Sequence, residues 1–309
     1  MSTGQCAPIG VRYHLDRHRI WCRPRVTRKV MLRRAGCMRR SSKTEAELQT
    51  SPIHITRWGS TGCRVVLVHG SAQGSQTGGD SHFSAQQALA AEGFQLIVPD
   101  RPGHGRSPSR GLPDDAALDG AWAADLMGDA AHLVGHSFGA CVVLEAAARR
   151  PRAVLSVTLI EPALQKLALN LPSVRRFSLQ ILAVKWLSLS ATSRARRFAR
   201  LAGIPAEIGG ARSEEELRRM GQGIARLQLP APATMKSQLQ TLRDAGIPLL
   251  VVTGGWSEAI DGTGAVAAQL GGGQHHIVEA PHHFPNLLAD AFNPLLLTFM
   301  RESEMARRR

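Results

Sequence analysis

The 309-residue chain is poor in aromatic side chains, 5% with a single Tyr, and poor in cysteine, five in all. The cysteines stand at 6, 22, 37, 63 and 141. An odd, scattered set excludes a disulfide-stapled secreted scaffold and fits a reducing, cytoplasmic setting. No run of about 18 apolar residues occurs, so no membrane span is expected. No G-x-G-x-x-G follows the first apolar strand and no G-x-x-x-x-G-K-S/T occurs, so no nucleotide cofactor is expected. What is present is ordinary for a globular enzyme-sized chain, with 43% hydrophobic and 20% charged residues. A chain of this length buries a core without disulfide or metal staples.

The net charge of +14 is unevenly spread. Residues 1–44 hold 12 Lys and Arg against one acid, Asp16, while residues 162–240 hold 13 against 4. The intervening 45–161 and the final 241–309 are acidic overall, at −4 and −2. The high overall charge therefore does not describe the body of the protein, and no nucleic-acid partner is expected. Residues 1–44 read as a basic, disordered N-terminal extension, with Met31 or Met38 as an alternative beginning. They lack the apolar core and cleavage site of a secretory signal. Their cysteines at 6, 22 and 37 lack the close pairing of a zinc site.

From residue 45 to 309 the pattern is that of one α/β domain. Short apolar runs at 53–58, 64–69 (RVVLVH), 94–99 (FQLIVP), 131–135, 154–160, 248–253 and 276–279 read as strands. Helical stretches at 84–92, 118–126, 138–150 and 264–270, and a last helix from Pro294, separate or follow them. This alternation predicts a mostly parallel, doubly wound sheet, whose ligand site lies at the carboxyl ends of the strands. Residues 162–245 break the alternation. Leucine periodicity at 164–171, 177–189 and 214–227 reads as an all-helical lid, or cap, inserted between two late strands.

Gly135-His136-Ser137-Phe138-Gly139 is a G-x-S-x-G pentapeptide between a strand and a helix. A serine on such a sharp turn holds its hydroxyl clear of the sheet, and the glycines let backbone approach closely. The hydroxyl needs a base, and the late segment IVEAPHHF offers His282 and His283. The paired histidines at 275–276 and 282–283 do not suggest a metal, because neighbours on a strand point to opposite faces. No metal and no other cofactor is expected.

With these residues in view, the chain resembles the α/β-hydrolase fold family over about residues 53–303, among its serine-nucleophile, esterase- and lipase-like members. VVLVHG at 65–70, PDRPGHGRS at 99–107, LVGHSFGA at 133–140 and HHFPNL at 282–287 carry the resemblance. It implies Ser137 as nucleophile, His283 as base through the H-F-P register, and the backbone amides of Ser71 and Phe138 as oxyanion donors. It also implies that Asp100, Arg101 and Gly103-His104-Gly105 form a structural loop beside the elbow.

The triad acid departs from the family's common pattern. The position three residues after Gly254 is Ser257, not Asp. Glu161, at the end of the strand VTLIE, is preferred, with Asp261 and then Glu258 as alternatives. The implied activity is hydrolysis of a small ester or related acyl substrate through an acyl-enzyme. A cofactor-free lyase or acyltransferase, and a non-catalytic ligand-binding or signalling protein of this fold, remain alternatives. The basic cap over an acidic body suggests an anionic substrate, against the plainer reading of solvated helix faces.

Overall fold

The computed structural model describes residues 53–71, 73–205 and 211–308, so the reading of residues 1–44 lies outside it. Seven strands form one sheet among the described residues: β1 (Ile55–Trp58), β2 (Cys63–Val68), β3 (Phe94–Pro99), β4 (Ala131–His136), β5 (Val154–Ile160), β6 (Leu249–Thr253) and β7 (Gln274–Ile277). Their order is β1-β3-β2-β4-β5-β6-β7, with β1 antiparallel to β3 and every other pair parallel. The order turns back between β2 and β4, and a crevice opens at such a switch point. Ser137 directly follows β4 there.

Alternation along the strands divides the core into two layers. Val66 and Val68 of β2 point to the side covered by α1 (Ala116–Leu126) and α2 (Phe138–Arg149), while Val65 and Leu67 point to the other. That second face is closed by Phe83 and by Phe292, Leu296 and Met300 of the C-terminal helix. Between β5 and β6 the described residues add four α-helices and no strand: α3 (Pro172–Leu187), α4 (Ala191–Leu201), α5 (Glu214–Arg226) and α6 (Pro232–Asp244). Two more follow, α7 (Glu258–Gly271) and α8 (Ala289–Arg308).

Three elements differ from the sequence reading. The segment 164–171, expected to be helical, holds only a short turn at Gln165–Leu167, and Pro172 opens the helix that follows. Helix α7 starts at Glu258, six residues before the expected 264. Ser257 accepts the amides of Ile260 and Asp261, and Glu258 and Asp261 complement the dipole in the first turn. The last helix begins at Ala289 and contains Pro294 within it. An interior proline costs about 3 kcal/mol. Full burial of Phe292, Leu296 and Met300, about 1.5–3 kcal/mol each, outweighs that.

Candidate active site

The β4–α2 turn is tight because of its glycines. A Cβ on Gly139 would collide with the carbonyl oxygen of Val68, so helix α2 lies close against β2. Ser137 itself has φ 54° and ψ −118°, a left-handed conformation that strains any residue with a side chain, by about 1–3 kcal/mol. Its amide is held by the Ile160 carbonyl at 2.8 Å, and its own carbonyl accepts from Ala163 at 3.1 Å. The strain is fixed by β5, the neighbouring strand.

Glu161 directly follows β5 and is, among the described residues, the second non-glycine residue with positive φ, at 48°. Its carboxylate is fully buried and receives three donors. The Gly254 amide reaches Oε1 at 2.6 Å, while the Trp256 indole N–H and His283 Nδ1 both reach Oε2 at 2.8 Å. Because a carboxylate only accepts, Nδ1 of His283 carries the proton and Nε2 keeps its lone pair in the neutral ring. Asp261 instead accepts from the Gly255 amide at 3.3 Å, and Glu258 lies in the first turn of α7. The structure thus brings Glu161 and His283 together and leaves the two alternative acids elsewhere. His282 uses its Nδ1 to accept the amide of Phe284.

Among the described residues, the hydrogen bond between Ser137 Oγ and His283 is not made. What ties their segments is His136, whose Nε2 donates to the His283 carbonyl at 2.8 Å, with the two rings 4.8 Å apart. The His283 amide in turn donates to the carbonyl of Gly203, just beyond α4. Catalytic hydrogen bonds are often long before substrate binds.

The two amides assigned to an oxyanion, Ser71 and Phe138, have no acceptor among the described residues. Beside them lies Arg101, a fully buried guanidinium. It donates to the Gly70 carbonyl at 3.0 Å, pairs with Asp114 at 2.6 Å and Asp119 at 2.9 Å, and lies 4.6 Å over the Phe138 ring. Asp114 also receives the Ser71 hydroxyl. Removing one partner from such a network leaves a buried charge unpaired, at a cost of about 3–5 kcal/mol. The Asp100 to Gly105 loop is built the same way, with the buried Asp100 carboxylate accepting from Gly79 and Arg106.

The profile described as the alpha/beta hydrolase family matches residues 65–295, three quarters of the sequence and every element that carries this geometry. The chain belongs to that family. It is an α/β-fold hydrolase, and its similarity to individual members is modest. It is 27% identical over 269 residues to the dihydrolipoyllysine-residue acetyltransferase component of the acetoin cleaving system of Cupriavidus necator, covering 81% of this chain and 67% of that one. It is 32% identical over 125 residues to the 2-hydroxy-6-oxo-6-phenylhexa-2,4-dienoate hydrolase of Burkholderia cepacia, covering 38% of this chain and 42% of that one. It therefore matches less than half the length of the latter. Among solved structures, a hydrolase from Oleispira antarctica superposes with a TM-score of 0.59 at 16% identity, over 84% of this chain and 98% of that one. That likeness speaks to fold.

This α/β-hydrolase surrounds its site with neutral histidines. His69, His104 and His136 are buried and His82 is half-buried, and ring centroids of 4.9 Å (His69 to His104), 5.1 Å (His69 to His82) and 6.2 Å (His82 to His136) link them. Burial holds His69 and His136 well below the ordinary imidazole value of 6.5, lowers His82, and brings His104 down to about 4. Neighbouring imidazoles, and Arg101 at His69, push in the same direction. The unfolded chain therefore binds more protons than the folded one between about pH 6.5 and 4, so stability is complete above that window and falls as pH drops through it. Thermal unfolding should show a midpoint declining across the window, with proton uptake on unfolding measured from the buffer dependence of the calorimetric enthalpy. A flat midpoint with no uptake would contradict it.

Two groups here carried no distinctive signal in the sequence. Trp256 lies two residues after the glycine that ends β6, and His136 is the variable position of the pentapeptide. Among the described residues, no group of three or more His, Cys, Asp or Glu is arranged to hold a metal ion. No helix among them is long and apolar enough to cross a membrane.

Proposed function

We propose that this α/β-hydrolase is a serine hydrolase acting on a small ester or related acyl substrate, with Ser137 as nucleophile, His283 as base and Glu161 as the acid that orients it. The observation that carries the reading is the 2.8 Å bond from His283 Nδ1 to a buried carboxylate, which leaves Nε2 free to take a proton. Attack by Ser137 Oγ on the carbonyl carbon moves the hydroxyl proton to Nε2. The tetrahedral oxyanion is met by the Ser71 and Phe138 amides. Collapse expels the leaving group with the proton returned from His283, and water repeats the cycle on the acyl-enzyme. Glu161 takes no proton. It stabilises the imidazolium that forms beside it.

Helices α3 to α6 act as a cap over this site, a reading supported by the contact between His283 and Gly203 beyond α4. An anionic substrate is supported by the basic excess of residues 162–240, which hold 13 Lys and Arg against 4 acids. On that reading kcat/KM for an anionic ester falls with added salt while that for a neutral ester does not. Cys63 and Cys141 are free thiols, which supports a reducing, cytoplasmic compartment.

The test is labelling by a fluorophosphonate. A stoichiometric adduct on Ser137, absent from Ser137→Ala, is expected. No adduct on the folded protein would favour a non-catalytic ligand-binding role. A second catalytic reading is favoured by the acetyltransferase relative: an acceptor other than water could resolve the acyl-enzyme. Product analysis with and without added thiols or alcohols separates transfer from hydrolysis.

A further inference from the structure

Helix α3 turns an apolar ridge outward. Leu179, Leu182 and Trp186 follow Arg175 at the helical spacing i, i+4, i+7 and i+11, on one face. They are exposed by 61%, 49% and 71%, and Leu187 and Leu189 continue the ridge at 70% and 101%. Isolated exposed leucines mean nothing, but five large apolar side chains on eleven consecutive residues form a patch that water does not favour.

The charge around the ridge selects its occupant. Residues 172–201 contain seven Lys and Arg and no acid. Arg175 and Arg176 are exposed at the start of α3. At its other end Arg194 donates to the Lys185 carbonyl and Arg197 to the Leu187 carbonyl and the Ser188 hydroxyl, so α4 delivers its cations beside Trp186. Lys185 lies 5.5 Å from the Trp186 ring. Among the described residues, Arg196 alone of the seven has an acidic partner, Glu214. A second copy of this face, or the basic residues 1–44, would bring like charge against it. An occupant must offer negative charge together with an apolar interior that accepts standing side chains. Anionic lipid headgroups over acyl chains do both, and a Trp ring with Leu neighbours suits that boundary.

We propose that the outward face of α3 with the adjoining end of α4 docks this protein on an anionic membrane surface, Leu179, Leu182, Trp186, Leu187 and Leu189 entering the headgroup boundary and the arginines meeting lipid phosphates. The proposal is independent of the catalytic reading. The probes are sedimented vesicles of phosphatidylcholine alone and of its equal mixture with phosphatidylserine, with the full chain at low and raised salt. The full chain binds the mixed vesicles, weakly at raised salt, and does not bind phosphatidylcholine.

Two variants, Leu179→Ser/Trp186→Ser and Arg175→Glu/Arg176→Glu, change only exposed positions. Each keeps the thermal midpoint and each weakens partitioning. Charge reversal does so by at least about 20-fold, since each surface cation contributes roughly fivefold. Because both variants retain residues 1–44, binding that survives them at full strength belongs to that segment and overturns the proposal. So does an absence of binding to the mixed vesicles. A concentration-dependent dimer that Trp186→Ser dissolves would make the ridge a self-interface and overturn it equally.

Discussion

His283→Ala is expected to lower kcat for ester hydrolysis by about 10⁶-fold, and Ser137→Ala by about as much, while the double variant is no worse than either. The non-additivity is the informative part. A hydroxyl without its base and a base without its hydroxyl are equally inert, so removing the second partner costs nothing further. The residual rate should exceed that in water, because the Ser71 and Phe138 amides proposed to meet the oxyanion, and the Arg101 network beside them, are untouched. Kinetics on a chromogenic acyl ester, with kcat separated from KM, measure this. A loss below about tenfold in either single variant would move the chemistry away from this pair. His282→Ala is the built-in control, since its imidazole serves the Phe284 amide.

Glu161→Gln is expected to lower kcat by about 10⁴-fold with little change in KM. The carboxylate accepts from Gly254, Trp256 and His283 together. An amide at this position removes the counter-charge of the imidazolium whichever way it is turned, and with its NH₂ at the Oε2 place it also forces His283 out of the Nδ1–H tautomer. Asp261→Asn and Glu258→Gln should stay within about threefold of the parent, as ordinary surface changes that leave the triad alone. If Asp261→Asn were the damaging change instead, the orienting acid would come from α7, and the Glu161 contacts would be structural.

The parts of the candidate site that are written in local chemistry are legible in the sequence. The elbow announces itself because a strained turn, two glycines and a serine must be contiguous. The choice of Glu161 followed from its place at the end of an apolar strand, where backbone pairing fixes a side chain's position. What could not be read depends on contacts between distant segments. Trp256 matters through a bond to a residue 95 positions away, and His136 through one to a carbonyl 147 positions away. The early start of α7 is not obvious in the sequence because Glu258 and Asp261 are also candidate acids, though Ser followed by acids also opens a helix. The start of α8 was hidden by Pro294, whose local veto is overridden only by burial of Phe292 and Leu296 against the sheet.

With Glu161, directly after β5, as the proposed orienting carboxylate, the loop after β6 need not supply an acid and takes up a different duty. Trp256 spans it, bonding Glu161 at one end while its six-membered ring presses on Gly203 at the other, where a Cβ would fall 2.8 Å from the ring. The indole is a strut between the inserted helices and the charge-holding strand. A shift of Gly203 by one bond length would be felt at the Glu161 oxygen bonded to His283, so on the proposed reading the triad's geometry is mechanically linked to how the inserted helices are seated.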